Sequence, residues 1–334
     1  MAKVRLLLDM DPGVDDALAL LLALNHRKEV GIVGIGTSCG NVGAYESALN
    51  VLRVLEAARR RRTFPVVVGL PKPLTSWRGR RLPDATEIHG PDGIGGARLA
   101  KPPKGEPDKG SAVDLICATY PKPTDVRLVV TGPLTNVAEA LRQKPAIARN
   151  IPRLIWMGGA YTVPGNIYPY GEFNCWMDPV AASEVFAVDI PITAVGLDVC
   201  LQCPFTRQDI EVSLRPDDGW ELGQFVREAT GHYMDFYRRA ESFWGCYLHD
   251  PLAVAVAIWP DLVWTQPFHV QFVTDHKNPA YGMTVIDRRA RRFDEPPTGP
   301  EKDIAVHVDA HQFRHRFLRA LEPPPDWGRG PDGR

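Results

Sequence analysis

The run Leu6-Leu7-Leu8-Asp9-Met10-Asp11-Pro12-Gly13-Val14-Asp15-Asp16-Ala17 restricts the fold more than any other part of this chain. Consecutive leucines read as a strand buried on both faces, Pro12-Gly13 turn the backbone, and the residues from Asp15 onward carry helical spacing. A buried strand followed so closely by a helix is the opening of a βα unit, from which parallel sheets are built. The same run sets Asp9, Asp11, Asp15 and Asp16 close together. Grouped carboxylates repel one another, so they either retain protons or enclose a hard divalent cation such as Ca²⁺ or Mg²⁺. Asp9 and Asp11 share one side of an extended segment, and the turn lets Asp15 and Asp16 swing back toward them. In a competing reading Asp15 and Asp16 are ordinary first-turn acids attracted by the helix dipole. That reading accounts for two of the acids and leaves the other two unexplained.

Compact apolar stretches at Val4–Leu8, Val30–Thr37, Pro65–Val68, Val126–Thr131, Ile151–Met157 and Pro191–Gly196 predict buried strands. Helical periodicity falls between them, at Asp15–Asn25, Ala44–Arg59, Ser111–Thr119, Leu134–Gln143 and Pro179–Phe186. The expected fold class is α/β, an open, mainly parallel twisted sheet of Rossmann-like type with helices on both faces, followed by a mostly helical C-terminal part. In that part Asp217–Ala240 is amphipathic, and Tyr247-Leu248-His249-Asp250-Pro251 opens a further helix with His249 and Asp250 at its start. Ligands of such sheets bind beyond the carboxyl ends of the strands. The residues expected there are the acidic run, Cys39-Gly40-Asn41, Thr131-Gly132-Pro133-Leu134-Thr135-Asn136, and the stretch from Gly158 to Asp178. The connection from Leu70 to Gly110 is too long to be a simple loop, and its His89 portion is expected to border the site. The chain reads as a single domain over 1–321 with a disordered tail over 322–334.

Composition excludes several functions. A chain of 334 residues, 44% hydrophobic, can bury a sizeable core, and a formal net charge of −1 offers no attraction for nucleic acid or an anionic membrane. The dense basic run Arg59-Arg60-Arg61-Arg62 reads as a solvated helix end. No apolar stretch is long enough to span a membrane, and the strand that reaches Asp9 leaves no room for a signal peptide, so a cytoplasmic location is expected. The six cysteines are too scattered for a disulfide framework, and Cys200-x-x-Cys203 lacks the second pair a zinc site needs.

The motifs, in order, resemble the inosine-uridine nucleoside hydrolase family. The resemblance is carried by Asp9-Met10-Asp11-Pro12-Gly13-Val14-Asp15-Asp16-Ala17, Gly40-Asn41, Thr131-Gly132-Pro133-Leu134-Thr135-Asn136, Met157-Gly158-Gly159, Gly165-Asn166, Glu172-Phe173-Asn174 with Asp178-Pro179, and His249-Asp250. It implies Ca²⁺-dependent hydrolysis of the N-glycosidic bond of ribonucleosides, with Asp11, Asp16, Asp250 and the carbonyl of Thr131 holding the ion and Asp11 as general base. It further implies that Asp15, Asn41, Asn166, Glu172 and Asn174 contact the ribose, and that Asp9 supports its neighbours from behind. His249 falls at the position that protonates the leaving base, with His89 approaching the base as well. Phe173, Trp244 and Tyr247 are candidates to stack on it. The implied partner is a small ribonucleoside, with no nucleic acid or membrane, and the implied assembly is a homodimer or homotetramer. Leu197-Asp198-Val199-Cys200 and the aromatic segment from Tyr161 to Gly171 depart from the commoner family pattern, which leaves the preferred base open. Other readings are a hydrolase of another N-ribosyl metabolite, a non-catalytic nucleoside-binding protein on the same fold and, more distantly, a Mg²⁺-dependent phosphatase that shares only the aspartate pair after its first strand.

Overall fold

The computed structural model describes residues 3–60, 62–75, 85–97, 103, 105–214, 221–288 and 299–322. Its strands are β1 (Val4–Met10), β2 (Val30–Thr37), β3 (Val66–Val68), β4 (Arg127–Val130), β5 (Leu154–Met157), β6 (Ile192–Val195), β7 (Pro204–Thr206), β8 (Gly245–Tyr247), β9 (Val263–Phe268), β10 (Val270–Phe272), β11 (Thr284–Ile286) and β12 (Lys302–Val308). Eight of them form one sheet in the order β3-β2-β1-β4-β5-β6-β12-β9, parallel except for the β12–β9 pair. The remaining four make two short antiparallel pairs, β7–β8 and β10–β11.

Strand β1 is buried on both sides, and its alternation feeds two cores. Leu6, Leu8 and Met10 enter a core built with the helices Val14–Asn25, Ala44–Ala57, His249–Ile258 and Ala310–Leu321. Leu7 enters the opposite core, with the helices Ala112–Thr119, Thr135–Gln143 and Pro179–Ala187. The helix Val14–Asn25 is buried from Val14 through Leu24, which is why its sequence is apolar nearly all round instead of striped. The strand order runs outward from β1 in one direction and from β4 in the other. The carboxyl ends of these two neighbours therefore flank the crevice where an open α/β sheet binds ligand. Asp11 follows the end of β1 by one residue, and Thr131 does the same for β4.

The expected βα alternation is present with small boundary shifts. The strand expected to begin at Ile151 starts at Leu154, because Pro145–Asn150 forms a 3₁₀ turn and Pro152 has no amide to give a ladder. The C-terminal part supplies the helices Glu221–Glu241, His249–Ile258 and Ala310–Leu321, and it also extends the main sheet. β12 inserts beside β6, and β9 closes the edge antiparallel to it, where Pro267 interrupts the row of donors. Arg61, the first residues of the helix expected from Asp217, and the tail beyond Glu322 lie outside the described residues. Among the described residues no helix is long and apolar enough to cross a membrane.

One buried carboxylate ties the long connection to the starts of the helices Thr135–Gln143 and Pro179–Ala187. Asp178 caps the helix Pro179–Ala187, accepting from the Ala181 amide at 3.2 Å. It also accepts from the amides of Leu74 and Thr75 at 2.7 and 3.3 Å, and from the hydroxyls of Thr75 and Thr135, both at 2.8 Å. Asp178→Ala strands these donors inside the protein and is expected to cost about 3 kcal/mol of stability. Urea denaturation followed by circular dichroism checks this, and a midpoint equal to that of the parent would show that water replaces the carboxylate.

Candidate active site

The turn after β1 folds its acids into a single cluster. Gly13, in an extended conformation, precedes the helix Val14–Asn25, and its amide donates to Asp16 Oδ2 at 2.9 Å. The other oxygen of Asp16 accepts from the Thr131 hydroxyl at 2.6 Å, so this carboxylate joins the ends of β1 and β4. Asp11 is anchored at one oxygen only. Its Oδ2 accepts from the Asn41 amide at 2.9 Å, whereas the buried Oδ1 has no hydrogen-bond partner. A Cβ on Gly40 would lie 1.8 Å from Asp11 Oδ2, and one on Gly132 would lie 2.7 Å from Oδ1, so both glycines give the Asp11 carboxylate its room. Asp15 accepts from the Tyr233 hydroxyl at 3.3 Å through Oδ2, while its buried Oδ1 is unpartnered. Asp250 arrives from the first turn of the helix His249–Ile258, and ligand atoms of Asp15, Asp16 and Asp250 all lie within 4.8 Å of one another.

This cluster is costly to charge. Burial, followed by repulsion from Asp16, raises the Asp15 pKa to about 7. Burial also drives Asp11 and Asp250 well above the ordinary carboxylate range, with the neighbouring aspartates adding to the rise. Asp9 lies just behind, raised to about 7 by burial, although Asn136 Nδ2 donates to it at 2.9 Å. Buried carboxyl oxygens that cannot all ionise together, two of them unpartnered, fit a hard divalent cation. The most compact triplet contains Asp15, where the family resemblance placed Asp11 in the ion's shell. Asp11 stands beside that triplet with its free oxygen.

A cavity of about 280 Å³ opens on the cluster. Asp15, Asp250, Thr131 and Asn41 border it on the sheet side. The segment after β5 supplies a second wall, in which Glu172 caps the short helix Phe173–Met177 and accepts from the amides of Gly159, Asn174 and Cys175 at 2.8, 2.8 and 3.0 Å. Asn174 Nδ2 donates to the carbonyls of Thr131 and Met157 at 2.6 and 3.1 Å, and Asn166 Oδ1 accepts from the Phe173 amide at 2.9 Å. Asn166, Glu172, Phe173 and Asn174 all face the cavity.

Helix Glu221–Glu241 closes the third side. Tyr237 Oη lies 3.0 Å from His249 Nε2, and His249 Nδ1 is buried without a partner. Burial lowers the His249 pKa to about 4, so this imidazole is neutral near pH 7. His89 accepts from the Val14 amide through Nδ1 at 3.1 Å and stacks on Tyr233, the ring centroids 5.3 Å apart. Burial brings its pKa down to about 3, which leaves its proton on Nε2. Tyr233 and Tyr237 were not among the residues singled out from sequence. Their signal was an i,i+4 pair on an amphipathic helix, the same pattern that core packing produces.

Two expected base-stacking residues are elsewhere. Trp244 is 76% exposed, with the Arg238 guanidinium 5.6 Å from its ring. Tyr247 stacks on Phe243 at 4.9 Å, and its edge contact with Tyr237 puts it behind the cavity wall. The cause is the β7–β8 pairing, which carries this segment across the outside of the site although it adjoins His249 in sequence. The aromatic side chains that do line the cavity are Phe173, Tyr233, Phe236 and Tyr237.

Residues 6–315 match the family described as inosine-uridine preferring nucleoside hydrolase. The chain belongs to this family. It is 39% identical over 287 residues to a pyrimidine-specific ribonucleoside hydrolase RihA of Shewanella baltica, covering 85% of this chain and 86% of the relative. Among solved structures, the plant nucleoside hydrolase PpNRh1 superposes with a TM-score of 0.88 at 30% identity, covering 97% of this chain and all of that one. A purine-preferring ribonucleoside hydrolase from Gardnerella vaginalis gives 0.82 at 34% identity, covering 95% and 98%. This nucleoside hydrolase is thus an N-ribosyl hydrolase, and the phosphatase reading falls away.

Gly40→Ala tests the positioning of Asp11. The added methyl must displace the carboxylate, so kcat is expected to fall about 100-fold. Thermal melting alongside the assay checks that the variant is folded, and undiminished turnover by a folded variant would show that the position of Asp11 is not critical.

Proposed function

We propose that this nucleoside hydrolase cleaves ribonucleosides to ribose and free base with Ca²⁺ as its metal, held by Asp11, Asp16, Asp250 and the carbonyl of Thr131. The observation that carries the reading is the free, buried Asp11 Oδ1 beside an all-oxygen acidic cluster at the floor of a cavity. When bound, the ion supplies positive charge that polarises water and attracts the vicinal hydroxyls of ribose. Asp11, fixed through Oδ2, offers Oδ1 to take the proton of the attacking water. Asp15 and Asn41 lie where they meet the hydroxyls on the metal side. Asn166, Glu172 and Asn174 hold the opposite side of the sugar. As the bond from C1′ to the base nitrogen breaks, its electron pair leaves with the base and positive charge develops on the ribosyl ring. The carboxylates surrounding the sugar stabilise that charge, and water oxygen forms the new bond to C1′.

The departing base needs a proton. Burial holds Tyr237 well above the usual phenol range, so its hydroxyl remains a donor. With Tyr237 donating to Nε2, His249 carries its proton on Nδ1, the unpartnered nitrogen. His249 offers that hydrogen to the departing base nitrogen, Tyr237 holding the tautomer through Nε2, and solvent reaching the cavity completes the protonation of the released base. The reading also includes one catalytic domain over 1–321, supported by a sheet that draws strands from Val4 to Val308, working in the cytoplasm as a homodimer or homotetramer.

Ribose release from a panel of ribonucleosides tests the reaction and its metal together. EDTA is expected to abolish turnover and added Ca²⁺ to restore it, and turnover indifferent to the chelator would overturn the metal assignment. Tyr237→Phe is expected to reduce kcat about 100-fold on nucleosides and much less on p-nitrophenyl riboside, whose phenolate leaves without a proton. Equal losses on both substrates would separate Tyr237 from base protonation.

A further inference from the structure

We propose that Glu241 selects the base, accepting a hydrogen bond from the exocyclic amino group of cytosine and opposing the carbonyl oxygen that uracil carries at the same position. The proposal rests on the ribonucleoside hydrolase reading and assigns the substrate preference that reading leaves open. Helix Glu221–Glu241 acts as a ruler along the cavity. Tyr233 touches Asp15 at the acidic floor, and Tyr237 touches His249 one turn farther on. Glu241 follows after another four residues on the same face and also lines the cavity. At about 1.5 Å of rise per residue, Glu241 is roughly 12 Å along the axis from Tyr233, at the end remote from the sugar.

On its own helix the lining residues beside Glu241 that precede it, Phe236 and Ala240, are apolar, and Ile88 adds another apolar side chain to the lining, so none of these three competes with Glu241 for a polar base edge. In a pyrimidine joined to ribose through N1, the ring carbon farthest from the bond is C4, which bears an amino group in cytosine and a carbonyl in uracil. A carboxylate only accepts hydrogen bonds, so it pairs with the first and repels the second.

The fold itself has no use for this acid. Glu241 ends its helix, where the dipole disfavours negative charge, and Ser242 follows with φ of 55°. Among the described residues it has no hydrogen bond or ion pair. The nearby bases are turned elsewhere, Arg238 to Asp235 and the Trp244 ring, and Arg239 to the Asp235 carbonyl. Glu241 is itself exposed, at the mouth of the cavity, and the desolvation it meets there raises its pKa. A locally unfavourable residue that meets no need of the fold is expected where function requires it.

The test measures kcat/KM for cytidine and uridine with the parent, Glu241→Gln and Glu241→Asp, with p-nitrophenyl riboside as a substrate that has no base edge. The parent is expected to favour cytidine about tenfold. Gln, which donates as well as accepts, is expected to bring the ratio close to one, while Asp keeps cytidine ahead. Folding of each variant is verified by its melting temperature. A ratio that Gln leaves unmoved, or a parent that favours uridine, overturns the role of Glu241 while p-nitrophenyl riboside cleavage keeps the hydrolase reading intact. Failure of the parent to cleave any riboside overturns the hydrolase reading and this proposal with it.

Discussion

Repulsion among the buried carboxylates at the end of β1 is the constraint around which the site is organised. Asp11, Asp15, Asp16 and Asp250 are each almost fully buried, and none can ionise freely beside the others. The protein restrains them with a limited set of donors. Gly13, Thr131 and Tyr233 each donate to one of them and Asn41 to both Asp11 and Asp16, while an oxygen of Asp11 and one of Asp15 are left open. A fully satisfied cluster would be inert, and one without donors would not hold its geometry. The intermediate arrangement leaves vacant lone pairs inside the cluster, with Asp15 and Asp250 bordering the cavity.

The sheet makes this arrangement possible. β1 and β4 are neighbours although far apart in sequence, so Thr131 can reach Asp16 from a separate strand end. The helix behind Asp15 and Asp16 is enclosed by other helices on the same face of the sheet. An acid on an exposed helix could turn toward solvent to escape its neighbours. Here the packing of Val14 through Leu24 denies that rotation, and the apolar core holds the charges in place.

What could be read from the chain followed from how local each feature was. The acidic turn was legible because strand, Pro-Gly turn and helix lie within a dozen residues, each with its own chemical signature. Glu172 and Asn174 could be named because the short motif Glu172-Phe173-Asn174 carries the family resemblance, although it lies well beyond the end of β5. The insertion of β12 between β6 and β9 was not legible, since it depends on pairing between distant segments whose apolar patterns do not specify a partner. Tyr233 and Tyr237 were hidden because two aromatics four apart on an amphipathic helix describe a core face as well as a site. Trp244 and Tyr247 were misplaced for the opposite reason. Nearness to His249 in sequence suggested nearness in space, and the β7–β8 pairing separates them.

The cavity has two kinds of wall. Its floor consists of the ends of sheet strands and the turns that follow them, all locked into both cores. Its roof is one amphipathic helix lying outside the sheet and touching the chemistry through two tyrosyl hydroxyls. Substitutions toward the C-terminal end of that helix can change which molecules are admitted while the machinery beneath keeps its alignment. A lineage carrying this scaffold can therefore diversify its diet without reinventing its blade.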